Sequence, residues 1–283
     1  MYDYDWNIPS KPIHPDTLYK RIREYNPWHD LDSTLGYNMG FIDAYSRNGG
    51  VAGIIVSHDL GKTWSNLPNE TTPQFFAPKF GAPAFLTFGP GNTQVPSAFQ
   101  PCIYAISDDG SWATGDNVFM GRVHRDSLLN RQAWSFVVGI NGQNVSWGKD
   151  LTAAKPVFTD KEHVGHPTIS YNKAINRYIL AINSDVFPHK EDATPDAFKK
   201  WNWHSELQLY ESENPWGPWS IFYNNEQWGG DKHTCYLLQM PAAWISDNGL
   251  EGTILFAGDY INRTGEYYGF MTQEFEIELY EKK

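Results

Sequence analysis

The octapeptide "SHDLGKTW", residues 57–64, combines a hydroxyl, a carboxylate, a glycine and a tryptophan at short intervals. Ser57 and Asp59 belong to the residue types whose side chains hydrogen-bond backbone N–H groups one or two residues on, and Gly61 supplies the positive φ of a tight reversal. We expect Trp64 to place its large apolar indole on the sheet beside the turn. The stretch therefore predicts a clamped β-hairpin and not a catalytic site.

Short strands and turns alternate along most of the chain. Thirteen runs of six to eight residues, from "VAGIIVS" at residue 51 to "FEIELY" at residue 275, have the composition of β-strands and are separated by turn signals such as "DDG" and "DNG". Helical patterns are limited to residues 15–25 and 194–201, with a helical turn at 125–132. No break in composition marks a linker, so we expect a single domain over residues 1–283. This strand spacing is typical of an all-β sandwich, barrel or propeller.

Composition and charge exclude several classes of partner. The 283 residues carry a formal net charge of −11, with no cluster of Lys or Arg, so neither nucleic acid nor an anionic membrane surface is an expected partner. No run reaches the ~20 apolar residues of a membrane span. Aromatic residues make up 16% of the chain. Such a content suits an all-β core, and it equally suits a surface that stacks on sugar rings.

Cysteine usage and the N-terminus bear on the compartment. Cys102 and Cys235 do not make a disulfide framework, although a single bridge between them stays open. The first 28 residues have no continuous apolar core and do not resemble a signal peptide. We expect either the mature form of a secreted or periplasmic protein or a cytoplasmic protein, and in both cases a monomer.

The opening octapeptide fits the Asp-box pattern Ser-x-Asp-x-Gly-x-Thr-Trp. In sialidase-like propellers this pattern closes the hairpin between the outer strands of a blade. "SDDGSW" from Ser107 and "SDNG" from Ser246 resemble two incomplete copies. Their spacings are close to one and three blades of ~40–50 residues. The turns therefore favour the propeller over the sandwich and the barrel.

Further stretches resemble the sialidase-like, five-bladed propeller glycoside hydrolase family that includes the endo-D-arabinanases. They lie in the expected order between residues 35 and 280, and they are "GSWATGDNVFMGRVHRDSLLNRQAWSFVVG", "GHPTISYNKAINRYILAINSD", "YESENPWGPWS", "MPAAWISDNG" and "YYGFMTQEFEIEL". The resemblance implies a five-bladed β-propeller with four-stranded antiparallel blades and carbohydrate-active chemistry. Members of the family carry more sequence ahead of the Asp-box blade, so residues 1–35 are expected to form an atypical or incomplete first blade.

Glycoside hydrolysis needs two carboxyl groups across the scissile bond, and a propeller brings them from different blades. Three candidates lie among aromatic residues and glycines, namely Asp43, Asp116 and Glu206. Each also has a local explanation. Asp43 can cap a turn, Asp116 can form an Asx turn, and Glu206 can lie solvated on an outer strand. As catalytic groups, at least two of them should lie within about 10 Å of each other in one pocket.

His166 is the most suggestive single residue. It precedes a run that resembles a family strand entering the central pocket, where a histidine can bind a sugar hydroxyl or act as a general base. A histidine satisfied in the core is the alternative. For sugar binding we further expect Trp147 and Trp203 to stack on the rings, and Asp259 to contribute a polar contact.

Three alternatives stay open. A lyase acting on a uronate-containing glycan would use His166 and Tyr171 for proton abstraction, with Asn172 and Arg177 neutralising the acid. A non-catalytic propeller would bind the glycan without cleaving it. No cofactor is expected, although His204, His233 and Cys235 offer a weak alternative, a structural Zn²⁺ site.

Overall fold

The computed structural model describes residues 54–65, 76, 80, 82–109, 115–185, 205–228, 235–258 and 269–280. All of these belong to one unit of the chain, residues 49–187 and 202–283. The single-domain prediction for residues 1–283 stays a prediction. Within the described residues, no helix is long and apolar enough to cross a membrane.

Strands dominate the described residues, and the only helical elements there are single 3-10 turns. The strands are β1 (Ala84–Phe85), β2 (Cys102–Ser107), β3 (Gly115–His124), β4 (Ser135–Asn141), β5 (Asn144–Gly148), β6 (Pro156–Val164), β7 (Thr168–Asn172), β8 (Arg177–Asp185), β9 (Ser205–Ser212), β10 (Ser220–Trp228), β11 (Cys235–Gln239), β12 (Glu251–Gly258) and β13 (Gly269–Glu276). The 3-10 turns are Pro90–Asn92, Ser97–Phe99, Arg125–Ser127, Arg131–Ala133 and Ala242–Trp244.

These strands form three antiparallel sheets. The first has the order β1-β2-β3-β4-β5 with β6 also paired to β3, the second has the order β10-β9-β8-β7, and the third has the order β11-β12-β13. Apart from the β3–β6 pair, the paired strands are neighbours in the sequence, as expected when short turns connect antiparallel partners. The all-β prediction is confirmed, and the second sheet is a four-stranded antiparallel meander. The propeller architecture and its number of blades stay predictions.

Strand β8 contributes to two apolar clusters because successive side chains of a strand point to opposite faces. Tyr178, Leu180 and Ile182 pack in a cluster that includes residues of β2, β3 and β6. Ile179 and Ala181 pack on the other face, in a cluster with residues of β11 and β12. The second sheet therefore lies between the first and the third.

The octapeptide forms the clamped loop that its sequence predicts, with longer-range contacts. Ser57 Oγ accepts hydrogen bonds from the N–H of Asp59 at 3.4 Å and of Gly61 at 2.7 Å. Asp59 Oδ1 accepts from the Thr63 N–H at 2.8 Å. The Ser57–Asp59 contact has the expected range of two residues, whereas the contacts to Gly61 and Thr63 each span four residues. Gly61 has the expected positive φ of 85°.

Trp64 departs from its expected position. Its side chain is half exposed, and its ring lies over Gly61, 3.6 Å from where a Cβ at that position would be. The indole therefore lies against its own loop.

The "SDNG" stretch forms a shorter loop with the same side-chain roles. Ser246 donates to Asn248 Oδ1 at 2.6 Å and accepts from the Glu251 N–H at 3.0 Å. Ser107 differs, because it lies buried at the end of β2 and accepts from the Ala82 N–H at 3.1 Å. Of the two incomplete copies, the one at Ser246 resembles the octapeptide loop in its hydrogen bonds.

Some elements differ from the sequence-based expectation. The run "AAWISD" was expected to be a strand, but Ala242–Trp244 is a 3-10 turn that follows Pro241, whose fixed φ suits a helical start. Strands β5, β6 and β11 were not expected. β6 carries the polar run "TDKEH", which hides its alternation. The helical turn expected at 125–132 is present as two 3-10 turns.

Candidate functional site

Strand β9 separates an apolar face from a polar one. Leu207 and Leu209 pack into the cluster shared with β11 and β12. Glu206, Gln208 and Tyr210 alternate with them and therefore share the opposite face. Glu206 faces away from the leucines as expected, but it is not solvated, because only 3% of its surface is exposed.

A chain of hydrogen bonds runs along this polar face. Tyr210 donates its hydroxyl proton to Gln208 Oε1 at 3.1 Å, and Gln208 Nε2 donates to Glu206 Oε1 at 2.9 Å. The other carboxylate oxygen, Oε2, lies 2.7 Å from Nδ1 of His163 on β6. We call these four residues, His163, Glu206, Gln208 and Tyr210, the Glu206 network. It joins strands of two sheets through residues 43 positions apart.

The network is buried at the carboxylate and open at the imidazole. The Glu206 side chain is 4% exposed, whereas that of His163 is 32% exposed. Burial, followed by the charges of Asp160 and Glu206, raises the pKa of Tyr210 to about 12. Tyr210 therefore keeps its proton at neutral pH and acts as a hydrogen-bond donor.

Strand β8 holds the backbone on both sides of the network. Asn183 Nδ2 donates to the Glu206 carbonyl at 3.0 Å, and Ser184 Oγ donates to the His163 carbonyl at 2.6 Å. The Asn183 N–H donates to the Gly165 carbonyl at 3.0 Å. Three strands thus fix the relative position of His163 and Glu206, which is what a preorganised polar site needs.

His166 lies beyond the end of β6 and is buried. Its φ of 40° is unusual for a residue with a side chain. Burial lowers its pKa to about 4, and a hydrogen bond involving the Asn183 backbone partly offsets this effect. His166 is therefore neutral at pH 7. Its role as a base or sugar ligand stays a prediction.

Asp116 is the second residue of β3, as expected for a residue that begins a strand. Its N–H donates to Asp109 Oδ2 at 3.0 Å. Its neighbour Gly115 pairs with Val164, which follows His163 on β6. Asp116 is therefore on a strand paired with the His163 end of β6, and Glu206 reaches the same end through its side chain. The predicted separation of two acids by less than about 10 Å stays a prediction.

Tyr171 and Asn172 bind partners away from the Glu206 network. The Tyr171 hydroxyl donates to Asn176 Oδ1 at 2.9 Å, and burial raises the pKa of this tyrosine. Its ring packs 4.9 Å from that of Tyr178 in the core. Asn172 Nδ2 donates to the Gly249 carbonyl at 2.7 Å. Both contacts secure the fold.

Arg177 and Trp147 also have structural contacts. Arg177 bridges β8 to β9, with Nε 2.7 Å from Glu211 Oε2. The guanidinium carbon of Arg122 lies 4.1 Å from the centre of the Trp147 ring, so one face of this indole is covered. The four residues expected to serve as a lyase centre, His166, Tyr171, Asn172 and Arg177, are thus engaged with different neighbours.

Several expected site residues lie outside the described part of the chain, namely Asp43, Trp203, His204, His233 and Asp259. Cys235, the third residue of the zinc alternative, is fully buried, and its N–H donates to Ser205 Oγ at 2.8 Å. Cys102 and Cys235 are both free thiols. Where side chains are described, no group of three His, Cys, Asp or Glu residues is placed to hold a metal.

Sequence reasoning missed His163, Gln208, Tyr210 and Asp160. The polar positions of "ELQLY" at residues 206–210 alternate with leucines, which is the pattern of a strand with one polar buried face. That signal was available. The sequence carries no comparable signal for His163, because this residue lies in a polar run and its partner Glu206 is distant in sequence.

The sequence matches no protein-family model and no curated protein. Among solved structures, an exo-β-1,3-galactanase from Phanerochaete chrysosporium in complex with β-1,3-galactotriose is similar at 15% identity and a TM-score of 0.35, covering 69% of this chain and 35% of that one. A family 117 glycoside hydrolase of Zobellia galactanivorans is similar at 11% identity and a TM-score of 0.40, covering 77% of this chain and 51% of that one.

An endo-1,5-α-L-arabinanase from Thermotoga petrophila RKU-1 is similar at 10% identity and a TM-score of 0.37, covering 70% of this chain and 42% of that one. The matched part spans about half or less of the length of each of these structures. All three TM-scores are below 0.5.

Proposed function

We propose that this protein is a glycoside hydrolase that cleaves a polysaccharide or oligosaccharide by acid/base catalysis at the Glu206 network. One observation carries the proposal. A buried carboxylate, Glu206, lies 2.7 Å from an imidazole, His163, that is one-third exposed. This arrangement gives a proton-transferring pair with one end protected and the other open to a substrate.

Burial of Glu206 supports a role in chemistry over a purely structural one. A buried charge is unfavourable unless it is hydrogen-bonded, and Glu206 has a partner on each carboxylate oxygen. An apolar residue would join β6 to β9 without that requirement. Titratable groups held this way at the border of solvent cluster at functional sites.

Hydrolysis requires a second carboxyl group, and this chain offers candidates near β6. Asp116 is carried by β3 beside the His163 end of β6. Asp160 is close enough to Tyr210 for its charge to raise the pKa of that tyrosine. We propose Asp116 as the partner acid, since it lies on β3, whereas His163 lies on β6 and Glu206 on β9. Asp43, which lies outside the described residues, is the further candidate from the sequence.

The test is a panel of polysaccharides incubated with the protein and two glutamate variants. We expect the unaltered protein to release reducing ends from one of them. Glu206→Gln should lower kcat by about 100-fold or more, because a neutral amide cannot stabilise the charge that His163 gains when it takes up a proton. Glu211→Gln is the matched control on the same strand. Glu211 pairs with Arg177 at the surface, so this variant should keep its rate within a few-fold.

Other outcomes contradict the proposal. A product with ultraviolet absorbance from a new conjugated double bond would indicate the lyase instead. Thermal stabilisation by a glycan without any product would indicate a binding protein. Equal rates for Glu206→Gln and Glu211→Gln would remove Glu206 from the chemistry. Thermal denaturation of both variants separates loss of folding from loss of catalysis.

A further inference from the structure

We propose that Glu206 holds His163 in the Nδ1–H tautomer, so that the Nε2 lone pair of His163 is the proton acceptor of the site and Glu206 is its positioning residue. The catalytic part of this inference rests on the proposed function. The tautomer assignment is independent of the proposed function, because it follows from hydrogen bonds alone.

The direction of the hydrogen-bond chain starts at Tyr210. A tyrosine hydroxyl has one proton to donate, and here it is donated to Gln208 Oε1. The carboxamide of Gln208 therefore turns its NH₂ group toward Glu206 Oε1. Both atoms of the amide are thus assigned by their partners, and Glu206 is the acceptor at the end of the chain.

The second carboxylate oxygen then decides the state of His163. Glu206 Oε2 lies 2.7 Å from His163 Nδ1, within hydrogen-bond distance. A carboxylate can only accept, so Nδ1 carries the hydrogen. In a neutral imidazole the other nitrogen then has the lone pair. This places the basic nitrogen at Nε2.

Exposure favours His163 over Glu206 as the group that meets a substrate. The carboxylate is almost fully covered, whereas the imidazole is partly exposed. As the oxygen of the attacking water bonds to the anomeric carbon, His163 Nε2 takes a proton from that water. The glycosidic bond breaks, and its oxygen takes a proton from the second acid. The Glu206 carboxylate stabilises the imidazolium that forms.

A second histidine provides an internal reference. His124 lies near Asp126 on the surface, with Nδ1 3.6 Å from Asp126 Oδ2, and the Asp126 backbone N–H donates to Nδ1 at 3.3 Å. A nitrogen that accepts carries no hydrogen, so His124 should be the Nε2–H tautomer. The two histidines are thus expected to have opposite tautomers.

The experiment is NMR of the full chain labelled with ¹³C and ¹⁵N in histidine, recorded where the imidazoles are neutral. We expect the Nδ1–H form for His163 and the Nε2–H form for His124. In Glu206→Gln, Gln208 still donates to the side-chain oxygen, so the new NH₂ group faces Nδ1. His163 should then change to Nε2–H. In the control Asp126→Asn, His124 should stay unchanged, because a backbone N–H sets its tautomer.

Two results would overturn the inference, namely His163 as Nε2–H in the unaltered protein, or as Nδ1–H in Glu206→Gln. The outcome is separate from that of the hydrolysis assay. A tautomer change without any hydrolysis would leave the pair intact and reject the proposed function. Hydrolysis without the tautomer change would support the proposed function and reject the tautomer assigned to His163.

Discussion

Asn172 and Gly249 show how a single position is set by its surroundings. Asn172 on β7 is buried, and its side chain donates to the carbonyl of Gly249 in the Ser246 loop. Gly249 has a φ of 77°, a conformation that residues with a Cβ adopt at a cost. A Cβ there would lie 2.5 Å from Asn172 Oδ1. Both the conformation and the contact therefore require glycine.

Gly249→Ala should lower the free energy of unfolding by about 2 to 4 kcal/mol, from a left-handed backbone and a disturbed buried hydrogen bond. Gly142→Ala is the control. Gly142 also has a positive φ, but a Cβ there would meet nothing within 4 Å. It should cost only about 1 to 2 kcal/mol. Urea denaturation measures both values, and equal losses would show that the Asn172 contact is unimportant.

At the scale of the element, the loops at Ser57 and Ser246 share one hydrogen-bond arrangement, but the accepting side chain is a carboxylate in the first loop and a neutral amide in the second. Asp59 and Asn248 each accept a serine hydroxyl, Ser57 and Ser246 respectively, and each also accepts a backbone N–H. Hydrogen bonds from Thr63 and Ser57 lower the pKa of Asp59 from 3.8 to about 2. A lowered pKa means that the charged form is favoured in the folded loop. Its contribution is complete above the unfolded pKa and is lost as pH falls toward 2.

The amide resonance of Thr63 should therefore titrate with a midpoint near pH 2 and not near 3.8. Asp59→Asn keeps an acceptor for the Thr63 N–H but removes the charge, as Asn248 does in the other loop. This variant should show a flat Thr63 resonance over the same range. ¹⁵N NMR spectra of both proteins provide the measurement. A midpoint near 3.8 in the unaltered protein would mean that the loop bonds are absent in solution.

At the scale of the whole molecule, β8 makes the three sheets depend on one another. Ile182 packs toward the first sheet and Ile179 toward the third. Both side chains are almost completely buried. Loss of either contact therefore weakens the attachment of the second sheet to a neighbour, and the sheets should unfold together.

Ile182→Ala and Ile179→Ala should each lower the free energy of unfolding by about 2 to 5 kcal/mol. Each variant should unfold in one transition when followed by tryptophan fluorescence and by circular dichroism. Ile221→Ala is the control, since Ile221 is half exposed on β10 and its truncation should change stability by about 0.5 kcal/mol or less. Two transitions in Ile179→Ala would show that the third sheet unfolds independently.

Local patterns in the sequence predicted much of the fold and part of the site. The run at residues 102–107 predicted β2 with its observed bounds, because alternation and flanking turns are local properties. The alternation around Glu206 likewise predicted that its side chain faces away from Leu207 and Leu209. Strand β6 was missed because its polar residues serve partners on other strands.

By itself, the sequence determined the β-rich character of the chain, the clamped loop at residues 57–64 and the face of β9 on which Glu206 lies. Each of these depends on residues within a few positions of one another. Only the tertiary structure decided that Glu206 is buried and that it binds His163. Burial and that contact depend on which strands pack together, and such packing joins residues too distant for any local pattern to record.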